Sequence, residues 1–191
     1  RFFRYQKGNP PFSLTMNAAV AYRENHKLIL LLAEPDGKPL AVDIDAEGKY
    51  RGPTAPVRLE FKQAVRDCTS FALAAPDQLI TTTTGALVIL RKNGHHWREE
   101  RRIAQLGQQK LRGPLFIHSH GKYLWVTVRD RHLVICCDLK TFLPLATFGE
   151  PGEPGTDLTH LHAPTSIAAW GERAAVYDAG NQRILKLQLK P

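Results

Sequence analysis

Short apolar runs, each about the length of one strand, recur along the chain and are cut apart by Gly, Pro, Asn and Asp. The clearest succession is FGEPGEPGTDLTHLHAPTSIAAWGERAAVYDAGNQRILKLQL near the C-terminus. There, Pro164-Thr165-Ser166 leads into an apolar strand over 167–170, and Gly171-Glu172 turns the chain. A second strand over 174–178 follows, Ala179-Gly180-Asn181 turns it again, and 183–189 alternates apolar with polar as a third. Gly and Asn accept the positive φ that tight hairpins need, so their placement has a mechanical cause. The longest apolar run, 28–33, is one strand long, so no apolar stretch is long enough for a membrane-spanning helix.

The same unit of inner strand, second strand, third strand and polar outer strand fits four times. The first repeat has strands over 18–22, 27–33 and 39–45, with an outer segment within 49–62. The second has 70–74, 79–84, 86–92 and 97–103, and the third 115–119, 123–128, 132–139 and 143–148. Inner strands beginning at Ala18, Ser70, Leu115 and Ser166 are spaced as propeller blades are, at about 40–50 residues. The inner sequences AAVAY, SFALA and SIAAW are small and apolar, as crowding round a central axis requires. The pattern predicts an all-β chain, a β-propeller of about four blades over 14–62, 68–105, 113–148 and 163–189. Residues 1–7, RFFRYQK, are expected to be an outer or closing strand of this single domain or segment.

The fourth unit, with its turn DAGNQRI at 178–184, resembles an NHL repeat. VRDRHLV at 128–134 keeps the geometry of that turn, and TTGALV at 83–88 and EPDGKPL at 34–40 keep less of it. NHL propellers usually have six blades, so the resemblance implies a segment of a larger propeller in preference to a small closed ring. It also implies that the arginine of the turn, Arg183, braces its own blade. In NHL-type lyases, histidines ahead of the inner strands converge on zinc; His162 alone holds that position here, and the other inner strands follow LTMN, DCT and LRGP.

Charge changes this picture little. The formal net charge is +8, but each half of the chain carries about half of it and no polybasic block exists. Nucleic acid is thus disfavoured as a partner, the more so without aromatic residues interleaved for base stacking. WREERRIAQ over 97–105 alternates in sign and reads as a charged edge strand. The three cysteines give no disulfide framework: Cys68 is expected to open a strand, and adjacent Cys136 and Cys137 to face opposite sides of one. The chain begins at Arg1 with no leader pattern ahead of it, so a removed leader or a longer parent chain is expected. The compartment is left open, extracytoplasmic in the first case.

Candidate chemistry sorts by face. In a propeller, second-to-third strand turns share a face with the inter-blade connections, and ligands commonly bind there. Arg129, Arg131, His132 and Arg183 map to such turns, and Lys110 and Arg112 to a connection. Together they suit a carboxylate, a phosphate or an acidic loop. His160 and His162 lie on the same face in the long connection after Gly149 and are the candidate metal ligands. His118 and His120 fall on the opposite face, where His95 and His96 could approach them. The run Thr81–Thr84 reads as β-strand propensity. The favoured function is a binding or scaffold module for a protein or small anionic ligand, with no cofactor implied and enzymatic activity disfavoured. The alternative is a metal-dependent propeller lyase or hydrolase whose remaining ligands lie outside this chain, on the remaining blades.

Overall fold

The computed structural model describes backbone for residues 18–24, 27–33, 39–44, 50–53, 58–94 and 96–190, and side chains from 59 onward within these. The predicted strand at 1–7 and the turn at 34–38 lie outside the described residues. The first sheet takes β1 (Ala18–Glu24), β2 (Lys27–Ala33), β3 (Pro39–Ile44) and β4 (Tyr50–Pro53), paired in that order. The second takes β5 (Arg58–Glu60), β6 (Phe71–Ala75), β7 (Gln78–Thr83), β8 (Ala86–Asn93) and β9 (His96–Ile103), in the order β5-β9-β8-β7-β6. A two-stranded ribbon, β10 (Gln105–Leu106) and β11 (Gln109–Lys110), precedes the third sheet. That sheet runs β12 (Leu115–His120), β13 (Tyr123–Val128), β14 (Leu133–Asp138) and β15 (Pro144–Phe148). The fourth has β16 (Pro164–Trp170), β17 (Arg173–Asp178) and β18 (Arg183–Gln188).

Within each sheet the meander is antiparallel, because connections of two to five residues can only reverse the chain. The outer segment predicted for the first repeat divides between two sheets. Tyr50–Pro53 pairs with β3, whereas Arg58–Glu60 runs parallel to β9 on the second sheet. β9 is therefore not the expected edge strand over its first half. Its charges hold the added segment: Arg98 binds Glu60 at 2.8 Å, His96 binds Glu60 at 2.6 Å, and Glu99 accepts the Lys62 backbone N–H at 2.9 Å.

The sheets stack face to face, and alternation along the strands sends successive residues into different clusters. Ala72, Ile80, Leu87 and Ile89 of the second sheet meet Ile117, Leu124, Val126 and Ile135 of the third. The other face of the third sheet offers Tyr123, Trp125, Val134 and Cys136 to Ala169, Ala174 and Val176 of the fourth. Cys136 and Cys137 thus enter opposite clusters, as adjacent strand residues must. Cys68 stands ahead of β6 and does not open it; its buried thiol lies 3.0 Å from Thr81 Oγ1.

The run of threonines is a polar joint. Thr82 Oγ1 accepts the backbone N–H groups of Thr69 and Ser70, both at 3.0 Å, and Thr83 Oγ1 donates to Arg66 O at 2.8 Å. Thr81, Thr82 and Thr83 are buried, so these bonds satisfy backbone that the connection into β6 would otherwise leave bare. Among the described residues, the four sheets do not close into a ring. The outward face of the fourth carries Trp170 (76% exposed), Ile184 (69%) and Tyr177 (42%).

Candidate functional site

Two turns of the same shape dominate the loop face. Arg129–Arg131 and Ala179–Asn181 are single 3-10 turns, each ended by a left-handed residue, His132 at φ 56° and Gln182 at φ 50°. Each turn binds the connection entering its own sheet: Arg129 N–H donates to Pro114 O, and Gly180 N–H to His162 O. Contact is close enough to demand glycine at two points. A Cβ on Gly113 would collide with the Asp130 carboxylate, and one on Gly149 with the His132 carbonyl. Second-to-third turns and inter-sheet connections therefore do share a face, as the strand order predicts.

Asp178, fully buried at the end of β17, organises the fourth-sheet part of this face. Its Oδ1 accepts the His162 N–H at 2.6 Å, and its Oδ2 accepts Asn181 Nδ2 at 2.7 Å and Arg183 Nε at 2.8 Å. Arg183 then donates to the carbonyls of Thr156, Asp157 and His160 at 2.6–2.8 Å. One carboxylate and one guanidinium thus clasp the connection over 155–162. Arg183 is positioned as a brace, its donors turned into the connection. Asp178 was not singled out from sequence, although its place in DAGNQRI marks it: a buried carboxylate needs donors, and Asn181 and Arg183 are three and five residues on.

Of the other candidate cations, Arg129 and Arg131 are on the third-sheet turn, Arg112 precedes the Gly113 that packs on it, and Lys110 is on β11. Lys110, Arg112 and Arg129 are exposed, and Arg131 is half-buried with its Nε enclosed and without a hydrogen-bond partner. Asp130 sits among them at Gly113. His132 packs edge-on to His162, ring centres 5.8 Å apart, and its Nδ1 accepts the Ala163 N–H at 3.0 Å. A neutral imidazole that accepts at Nδ1 carries its proton on Nε2, leaving no lone pair there for a metal. Burial, then the neighbouring His162, pushes the His132 pKa down, against the pull of Asp130 and Asp178.

His160 is held differently. The Asp157 carboxylate lies 2.8–2.9 Å from its Nδ1 and can only accept, so Nδ1 donates. This bond raises the His160 pKa and drives Asp157 well below the usual carboxylate range, with Thr159 donors adding to the latter. His118 and His120 are on β12 and turn towards β16, whereas His96 is bound to Glu60 on the second sheet; the structure does not gather these three. Among the described residues, no three His, Cys, Asp or Glu side chains come together as a metal-ligand group.

No family profile and no curated protein matches the chain. Solved structures do. BamB from Moraxella catarrhalis is 13% identical with a TM-score of 0.50, over 88% of this chain and 42% of BamB. The Cps50 (Swd1) β-propeller domain of Myceliophteria thermophila is 12% identical with a TM-score of 0.53, over 93% of this chain and 52% of that one. The computationally designed Ika4 protein is 9% identical with a TM-score of 0.57, over 97% and 96% of the respective chains. The chain spans about half the length, or less, of the two natural proteins. What these comparisons share with the four stacked sheets is the architecture: the chain is an all-β, β-propeller chain whose sheets remain unclosed.

Proposed function

We propose that the chain is a binding or scaffold module built from NHL-like repeats, which recognises a protein or small anionic ligand through its loop face. The observation that carries this reading is the set of exposed cations Lys110 on β11, Arg112 in the connection into β12 and Arg129 on the 3-10 turn that this connection packs against, with the half-buried Arg131 on the same turn. Rigid turns on a packed scaffold present side chains at low entropic cost, which suits recognition. The reading takes residues 1–191 as one propeller unit and a segment of a larger assembly. Exposed apolar side chains on the outward face of the fourth sheet support this. Trp170, Tyr177 and Ile184 occupy the side that in the third sheet is covered by a neighbouring sheet.

The test is a titration followed by amide NMR, with inorganic phosphate and a poly-glutamate peptide as probes. Shifts concentrated at 110–112 and 129–132, and abolished in R129E/R131E, support the loop face. Shifts spread over the surface, or absent with both probes, sink the reading. The metal-enzyme reading has one supporting observation, the Asp157–His160 pair, since a carboxylate on one imidazole nitrogen is a common support for metal ligation by the other. Zinc titration of the chain and of H160A and H162A decides it. Identical weak binding by all three removes that alternative.

A further inference from the structure

The third and fourth sheets follow one plan up to their third strands. Each passes from its second strand to its third through a 3-10 turn closed by a left-handed residue, and the pairs Val128–Leu133 and Asp178–Arg183 flank those turns. Counted from these pairs, Val134, Ile135, Cys136 and Cys137 of β14 correspond to Ile184, Leu185, Lys186 and Leu187 of β18. The two strands differ in what lies beside them. β14 carries β15 on its outer side, with Val134 opposite Phe148 and Cys136 opposite Ala146, and none of its four residues is more than 1% exposed. β3 and β8 likewise each carry an outer strand. Among the described residues, β18 pairs only with β17. Ile184, Lys186 and Gln188 are exposed, and Leu185, Leu187 and Leu189 are only half-buried although they pack against the cluster shared with the third sheet.

The direction of the backbone groups identifies those left over. Leu189 N–H donates to Glu172 O. In an antiparallel ladder the residues that bond a given neighbour alternate, so Leu187 and Leu185 also bond towards β17. Ile184, Lys186 and Gln188 then turn their N–H and C=O groups to the open edge. An unpaired edge of this kind is a template for a further strand. Its side chains set the sign of what can pair there. β18 has no carboxylate, the exposed Lys186 stands near its centre, Lys190 follows it, and the exposed Arg173 lies across from Gln188.

We propose that β18 is the acceptor edge for an extended acidic segment of a partner protein, which pairs antiparallel as the fourth strand of this sheet. In the incoming strand, the residues opposite Leu185 and Leu187 are apolar and cover the uncovered side of those leucines. The residue opposite Lys186 is a carboxylate, on the face that also holds Trp170 and Tyr177. Main-chain bonds at Ile184, Lys186 and Gln188 supply affinity, and the alternation of side chains supplies specificity. Two other occupants fit the charge less well. A second copy of β18 brings its own lysines to the edge, and the N-terminal RFFRYQK brings three cations and no carboxylate. Like charges on directly opposed residues work against pairing. This edge is separate from the cations of the loop face, and its occupancy does not depend on whether they bind an anion.

The experiment is amide hydrogen exchange on the chain alone, with an excess of a short peptide of alternating valine and glutamate, and with its counterpart of alternating valine and lysine. With the glutamate peptide, protection at Ile184, Lys186 and Gln188 is expected to rise at least about tenfold, while Leu185 and Leu187, already bonded to β17, change little. The lysine peptide should leave the three edge amides as they are. In K186E the preference for the glutamate peptide should be lost. Equal protection by both peptides, no change with either, or protection at Leu185 and Leu187 in place of the edge amides overturns the proposal. Protection of the edge amides in the free chain overturns it as well. Protection that grows with chain concentration would make the occupant a second copy, and protection lost on removing residues 1–7 would make it the N-terminal segment.

Discussion

Asp178→Ala tests whether one buried carboxylate holds the long connection in place. The substitution strands three donors: the His162 N–H, Asn181 Nδ2 and Arg183 Nε. Arg183 is largely covered and Asp178 wholly so, which makes this a buried pair deprived of one partner. Such a loss costs about 3–5 kcal/mol in comparable sites. The cost arises because the guanidinium is left uncompensated, and because its bonds to Thr156, Asp157 and His160 no longer have a fixed origin. A chain of this size shifts by about 2–4 °C per kcal/mol, so the midpoint should fall by roughly 6–20 °C. Asp178→Asn keeps one oxygen for the His162 N–H but points an amide NH₂ at two donors, and should cost about 1–3 kcal/mol. Thermal melts followed by circular dichroism give the midpoints. Amide exchange at Gly155, bound to Leu161 O, and at Gly180, bound to His162 O, reports whether the connection loosens first. If D178A melts within 2 °C of the parent and those two amides stay protected, the bracing argument is wrong.

Other outcomes follow from the same geometry. Thr82→Val is nearly isosteric but leaves the Thr69 and Ser70 N–H groups without their acceptor, at about 1–3 kcal/mol each if no water replaces it; a melting point unchanged by T82V would show that the joint is dispensable. Burial pushes the Cys136 thiol up to about 11 and the Cys137 thiol up to about 12, and raises Cys68 as well. A disulfide reagent at pH 8 should therefore label no cysteine until denaturant is added, whereas labelling on the timescale of an exposed thiol would contradict the packing. His160 should titrate above the ordinary histidine range and return towards it in D157N, as read from its ring proton shifts. Its raised pKa adds stability that is whole below pH 6.5 and lost as pH rises through the folded value. An unaltered His160 titration in D157N would refute the pairing.

The strand succession, the all-β class and the propeller-like stacking were legible in the sequence, because short alternating strands with Gly and Asn turns are encoded locally. DAGNQRI and VRDRHLV read as one kind of turn and prove to be one, down to the left-handed residue that ends each. The opposite burial of Cys136 and Cys137 needed only the period of a strand. Contacts between distant segments were not legible. Nothing local says that Arg58–Glu60 leaves the first sheet for the edge of β9, since that pairing rests on Glu60 finding His96 and Arg98 more than thirty residues later. Thr82 read as a strand former, yet its hydroxyl serves backbone a dozen residues away. His132 read as part of the anion-binding set and His118 and His120 as residues of the opposite face; only stacking placed each against a backbone N–H of β16 or the segments that flank it. Periodicity and turn chemistry determine which strands form, while the partner of a polar side chain is decided only when separate sheets come within a hydrogen bond of each other.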